Sequence, residues 1–169
     1  MERDHPDTLF AILNLANLYW LVGQKEKTAE PETELLERRM RMLGEDHLST
    51  ISAACNLSVT LDEIGGDKET VLSLREGVLA KRRALLGDDH PDTLKDIAGL
   101  TAVMWDLGYK ERTRDLEEEL LERRTRLLGR SHPDTVRIMK NFAITLNNLG
   151  ETERAIALWN EAQGYEKKD

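Results

Sequence analysis

Apolar residues along this chain fall on a helical stripe that returns four times. Counted from His5, His47, His90 and His132, the seventh residue is Ile12, Ala54, Ile97 or Met139. The tenth is Leu15, Leu57, Leu100 or Phe142. The fourteenth is Tyr19, Leu61, Met104 or Leu146, and the seventeenth Val22, Ile64, Leu107 or Leu149. Between them the eleventh is always small: Ala16, Ser58, Thr101 and Ala143. Offsets of 7, 10, 11, 14 and 17 trace one face of an α-helix. A small residue held at one level lets a neighbouring helix approach closely.

The histidines are 42, 43 and 42 residues apart and sit in near-copies of one octapeptide: LGEDHLST, LGDDHPDT and LGRSHPDT, with a trimmed RDHPDT near the start. Eighteen residues after each histidine comes a glycine, Gly23, Gly65, Gly108 or Gly150, and the doubled Gly65-Gly66 accounts for the one longer step. Each unit thus has an internal glycine and a Leu-Gly joint, with 17 to 20 residues between them, which predicts two antiparallel helices per unit. Repeats are expected at 5–44, 47–87, 90–129 and 132–165 of a single 1–169 array. The second helices repeat more loosely, as ETELLERRMRMLG, VLSLREGVLAKRRALLG and DLEEELLERRTRLLG.

LGDDHPDT invites a catalytic or metal reading, which the spacing answers. Gly87 suits a left-handed helix stop, Pro91 the first position of the next helix, and Asp92 its first turn. Asp89 or His90 is the expected cap. Neighbouring helices pack ~8–10 Å apart, so equivalent histidines two helices on lie roughly 16–20 Å apart. A zinc ligand sits ~2 Å from its metal, so the copies cannot share one ion. Pro31 is admissible if the second helix begins near Thr28, because its N–H position is unpaired there.

Composition then narrows the function. Hydrophobic residues make up 40% and charged ones 33%, as in a soluble globular chain, and the net charge of −8 gives no footprint for nucleic acid or anionic membranes. The clusters Arg38-Arg39, Lys81-Arg82-Arg83 and Arg123-Arg124 are interleaved with glutamates near helix ends, as dipole and ion-pair electrostatics require. No apolar run approaches the ~20 residues of a membrane span, MERDHPDT is no signal peptide, and the single Cys55 fits a reducing compartment. A cytoplasmic location is expected. There is no phosphate-cradling glycine loop, no Cys/His cluster at metal spacing and no nucleophile elbow. Neither catalysis nor a cofactor or metal is expected.

The pattern L-G-x-D-H-P-D-T-L, then N-L-A, a glycine, A-E and x-R-x-x-x-L-G resembles the 42-residue tetratricopeptide repeats of kinesin light chains. Similar arrays occur in the sensor regions of STAND-type receptors. The likeness covers about His5 to Tyr165 and is best carried by HPDTLFAILNLANLYWLVGQ; Leu48-Ser49 and Gly99 depart from it. It implies an all-α, right-handed α-solenoid of four helix-turn-helix repeats, eight helices in all, whose first helices line a concave peptide-binding groove. The unit exceeds the usual 34 residues by about two helical turns, which should deepen that groove.

By the same resemblance, the groove positions are Phe10, Leu13, Asn14, Asn17 and Trp20 in the first repeat, and Ser52, Cys55, Asn56 and Val59 in the second. The third supplies Lys95, Ala98, Gly99, Ala102 and Trp105, and the fourth Arg137, Lys140, Asn141, Ile144 and Asn148. Asn14, Asn56 and Asn141 share one repeat position. Such amides either bind extended peptide backbone or bond the adjacent helix. Lys95, Arg137 and Lys140 make one half cationic, which would suit a partner with an acidic segment or C-terminal carboxylate, or are solvated surface charges. Cys55 and the tryptophans Trp20, Trp105 and Trp159 read as packing residues or ligand contacts.

The expected function is therefore a non-catalytic scaffold binding a protein or peptide. The alternative is a self-associating segment, end to end through its terminal helices, or a sensor array cut from a larger receptor, since the chain starts at a repeat boundary and Trp159 lies on the last helix.

Overall fold

Each histidine starts a helix. The computed structural model describes residues 5–166; residues 1–4 and 167–169 of the expected 1–169 array lie outside the described residues. Eight α-helices follow in order among them: α1 (Pro6–Leu21), α2 (Ala29–Leu43), α3 (Leu48–Glu63), α4 (Lys68–Leu86), α5 (Pro91–Asp106), α6 (Lys110–Leu128), α7 (Pro133–Asn148) and α8 (Thr152–Glu166). A 3-10 turn, Lys25–Lys27, leads into α2. No strand occurs among the described residues. The class is all-α, as the periodicity predicts.

Why the helices begin where they do is a matter of hydrogen bonds. His5, His47, His90 and His132 sit in extended backbone, and each accepts on Nδ1 the N–H two residues on, at 3.1–3.2 Å. A ring nitrogen here does what a serine or aspartate side chain usually does at this position. Of Asp89 and His90, the cap of α5 is His90. Three residues upstream, Gly44, Gly87 and Gly129 adopt φ of 85°, 84° and 87°, a region that costs other residues strain. Thr50 and Thr93 tie the joint from inside, their hydroxyls donating to the carbonyls of Gly44 and Gly87 at 2.8 and 2.9 Å. The internal turns close in the same way as one another. At the end of α3, Gly66 N–H bonds Leu61 carbonyl and Gly65 N–H bonds Asp62 carbonyl, the paired pattern of a Schellman cap. The extra residue of the second repeat lies just beyond, where Gly66 and Asp67 precede α4 and Asp67 caps the N–H of Thr70 at 2.8 Å.

The chain divides into two compact units, one ending at Leu85 and the other beginning at Leu86. In the first, α2 packs against α1 and α3, and the buried side chains include Leu35, Ile51, Leu57, Val71 and Val78. In the second, α6 packs against α5 and α7, and α7 against α8, around Ile97, Leu100, Met104, Leu120, Met139, Phe142 and Leu146. The small-residue level is inside in both. Ala16 and Ser58 are 1% exposed, Ala143 3% and Thr101 6%. Ser58 and Thr101 satisfy their hydroxyls on their own helices, donating to Cys55 and Ala98 carbonyls. Pro31, the third residue of α2, is buried and leaves no helical bond broken.

The acids of the opening motif have a packing task. Arg123 of α6 pairs with Asp88 at 3.3 Å and Asp89 at 2.9 Å, and Arg126 also reaches Asp89 at 2.6 Å. Lys81 of α4 makes the same reach to Glu45 and Asp46. At the third joint the signs are exchanged: Arg130 stands in the loop and Glu161 of α8 answers it at 2.5 Å. Arg123 and Lys81 of the basic clusters are thus engaged with carboxylates. A second recurring arginine lies deeper. Arg39 donates to Ser49 carbonyl at 2.8 Å, and buried Arg124 lies 3.4 Å from Asp134, each joining the end of an even helix to the first turn of the next.

Replacing a capping imidazole tests this description of the joint. His90→Ala should lower unfolding stability by about 1 kcal/mol, and His90→Asn, which keeps an acceptor, by less than half of that. Urea unfolding followed by circular dichroism measures both; equal losses would mean the ring acts by packing instead.

Candidate functional site

The first helix of each repeat shows one face to its own unit and leaves the other open. In the first unit, Phe10, Asn14, Asn17, Asn56 and Val59 are exposed on α1 and α3, and Leu13, Ser52 and Cys55 are half-buried beside them. In the second, Lys95, Arg137, Asn141 and Asn148 are exposed on α5 and α7, and Lys140 is half-buried. Among the described residues, the side-chain amides of Asn14, Asn56 and Asn141 make no hydrogen bond to a neighbouring helix. Asn148 differs, turning its amide back to Ile144 carbonyl at 2.9 Å.

The expected cationic half is largely matched by acids of its own. Lys95 pairs with Asp92 at 3.4 Å and Arg137 with Asp134 at 3.1 Å, each three residues back on the same helix. Lys140 bonds Glu166 and lies over the Trp159 ring, 5.8 Å from its centroid. Trp159 and Lys140 therefore pack α8 onto α7.

A cleft of about 260 Å³ opens between α5 and α7. Ala98, Ala102 and Trp105 line it from α5, and Asn141, Ile144 and Thr145 from α7. Small side chains at 98 and 102 leave the space; Trp105 and Ile144 supply apolar walls. Glu117 of α6 belongs to the lining and is only 5% exposed. One of its oxygens, Oε2, is buried with no hydrogen-bond partner.

Burial governs the chemistry of this carboxyl. It raises the Glu117 pKa from the ordinary 4.5 to about 7, against a smaller opposing effect of the hydrogen bond with Thr145. The Thr145 hydroxyl also donates to Asn141 carbonyl at 3.3 Å. The single Thr145 proton is thus shared between two acceptors, the Asn141 carbonyl and the Glu117 carboxyl. The first unit repeats the pair: Glu32, also 27 residues after its histidine, is buried beside Thr60 and likewise raised, chiefly by desolvation. In the second repeat the corresponding α4 residue, counted back from the joint glycine, is Arg75, which pairs with Asp62 at 2.9 Å.

Sequence reasoning passed over Glu117 because it stands in the acidic run DLEEELLERR. The signal was present in the spacing. Thr113, Glu117, Leu120, Leu121 and Arg124 are the buried residues of α6, a helical stripe with one acid in it.

No group of three or more histidine, cysteine, aspartate or glutamate side chains among the described residues could hold a metal ion. No helix among them is long and apolar enough to cross a membrane.

Comparison with known proteins bears on what this arrangement is. The family model for the tetratricopeptide repeat matches residues 50–92 and 98–134. No curated protein sequence matches the chain. Among solved structures, putative kinesin light chain TPR-like repeats from Podosopora anserina align with 99% of this chain and 79% of theirs, at 20% identity and TM-score 0.85. BtubC (BKLC) from P. vanneervenii aligns with 99% of this chain and 67% of its own, at 19% identity and TM-score 0.85. MamA aligns with 96% and 81%, at 15% identity and TM-score 0.68. At these identities the likeness is one of fold.

The Glu117 carboxyl gives stability a pH dependence whose sign follows from its raised pKa. Between pH 4.5 and 7 the folded chain holds a proton that the unfolded chain has lost. Stability present below pH 4.5 is therefore lost as pH rises through 7, by on the order of 2 kcal/mol. Urea midpoints at pH 5 and pH 8 should differ accordingly, and Glu117→Gln should remove most of the difference, leaving the part due to Glu32. An unchanged difference in that variant would contradict the assignment.

Proposed function

We propose, taking as premise that this is a tetratricopeptide repeat protein, that it is a non-catalytic module binding an extended peptide or partner segment on the open faces of its first helices. Repeats of this type mediate protein–protein interaction. The observation that carries the reading is the set of exposed, unbonded amides at Asn14, Asn56 and Asn141. Asparagine inside a helix is less favourable than alanine by roughly 0.5 kcal/mol, and no intrahelical or interhelical bond offsets it here. An amide both donates and accepts, so it can pair with the backbone of an extended chain whatever its side chains.

An acidic residue or a terminal carboxylate of the ligand has a place in this proposal at Lys95 and Arg137. Exposed ion pairs such as theirs with Asp92 and Asp134 are worth under about 1 kcal/mol, so a ligand carboxylate can exchange for the local one. Lys140, held between Glu166 and Trp159, is less available. A cytoplasmic setting accords with the lone free cysteine.

Peptide display on the immobilised chain tests the reading. The counter-selection target carries Asn14, Asn56 and Asn141 replaced by alanine, substitutions that favour helix and touch no buried group. Peptides enriched only on the unaltered chain are the expected result. Equal enrichment on both, or none, would rule the groove out.

A second reading, self-association, has its own observation. Leu57, Leu100 and Phe142 are buried, yet Leu15 at the same repeat position is 43% exposed, alongside Leu18 and Leu21 on α1. On the last helix, Ile156 is exposed as well. If these faces join two copies, sedimentation equilibrium will show a mass that rises with concentration and returns to that of one chain in Leu15→Ser, Leu18→Ser. A single-chain mass at every concentration would exclude it.

A further inference from the structure

We infer that the cleft between α5 and α7 is the subsite for a cationic side chain of the bound peptide, lysine or arginine, with Glu117 as its buried counter-charge. The inference rests on the peptide-binding reading above and gives that site its ligand chemistry.

Four observations converge on a cation. Glu117 belongs to the lining of a cleft open to solvent, and its Oε2 is buried without a hydrogen-bond partner. Buried polar groups are ordinarily satisfied, and an unpaired one is costly until something pairs with it. The charged residues of the lining are Glu117 and Asp106 of α5, both acids; α7 contributes Asn141, Ile144 and Thr145, none of them charged. Lys110 of α6 lies over the Trp105 ring, 5.6 Å from its centroid, and is not among the lining residues. An acidic side chain entering here would meet acids; a cationic one meets Glu117, which can ionise to pair with it.

The walls fit the rest of such a residue. At about 260 Å³ the cleft is below the usual size of small-molecule sites and suited to one side chain. Lysine and arginine carry apolar stems that pack well along surfaces such as Trp105, Ile144 and Ala102 while the head group reaches an acid. Asn141, in the same lining, stands where its amide can take the peptide backbone. Unlike Glu117, the corresponding Arg75 of α4 is itself a cation, which would repel such a side chain.

Proton balance follows from the pairing. An arriving cation favours the ionised carboxylate, so binding at neutral pH releases the Glu117 proton to solvent. Affinity should then rise by about tenfold between pH 6 and pH 8.

The experiment uses the peptides enriched on the unaltered chain, with affinities measured by calorimetry on the full chain and on Glu117→Gln. The expected result is a lysine or arginine at one fixed position and a loss of about tenfold or more in Glu117→Gln. That loss should vanish when the peptide residue is glutamine, and Glu32→Gln should leave affinity unchanged. Exchanging lysine for arginine in the same peptide shows which head group the site prefers. Enriched peptides with no basic position, or a Glu117→Gln chain that binds them equally well, would overturn this inference and leave peptide binding standing. No enriched peptide at all would overturn both. Circular dichroism of the glutamine variant checks its fold, which removal of a buried acid should not impair.

Discussion

The register of this chain is set by a joint four residues long. A helix has four N–H groups at its start and four carbonyls at its end without internal partners. Here the ending helix is stopped by a glycine at φ near 85°, and the next is restarted by a histidine whose Nδ1 takes one of the orphan N–H groups. Because glycine and histidine stand three residues apart at each of the three joints, the rotation at which the next helix begins is the same each time. The small residue eleven positions on then falls on the packing face, and Glu117 and Thr145 arrive side by side although they come from different repeats. Lose the joint and that register goes with it.

Electrostatics reinforces this geometry more than it stabilises it. The pairs from Arg123 to Asp88 and Asp89, and from Lys81 to Glu45 and Asp46, are partly or largely exposed, and such pairs contribute little free energy. What they add is direction. Each reaches from the C-terminal part of an even helix back to the loop preceding its own repeat. The exchange of signs at Arg130 and Glu161 is consistent with this, because complementarity matters there and the sign does not. Arg39 and Arg124 work at closer quarters, on the first turns of α3 and α7, where desolvation makes geometry count for more.

Against that background, Glu117 stands out as a local conflict. A leucine in its place would satisfy the core without a desolvation penalty, and carboxyls are rarely left buried with an idle oxygen. Places where a sequence departs from local consistency are where function is to be sought. The conflict also links two properties. The burial that raises the carboxyl to about 7 makes the folded chain less stable as pH rises, and the same ionisation readies the cleft for a positive charge.

The repeat, the class and the helix boundaries were legible from one dimension, because they depend on residues close in sequence. Glycine, histidine and proline act on their own turns, and a stripe of period 3.6 declares its buried face without knowing what covers it. LGDDHPDT was legible as a joint, but the capping atom and the partners of its acids needed tertiary structure, which alone brings Arg123 to Asp89. The charge of the expected groove was open in sequence: Lys95, Arg137 and Lys140 read as a cationic half or as solvated surface charges, and their partners Asp92, Asp134 and Glu166 come near only once the helices are formed and packed. The cleft belonged wholly to tertiary structure, and so did the pairing of its acid with Thr145. Glu117 lies 28 residues before Thr145, and neither a spacing nor a composition brings them together. Local rules fix where each helix starts and which face it buries; only the packing of three helices decides which acid loses its water and which opening it faces.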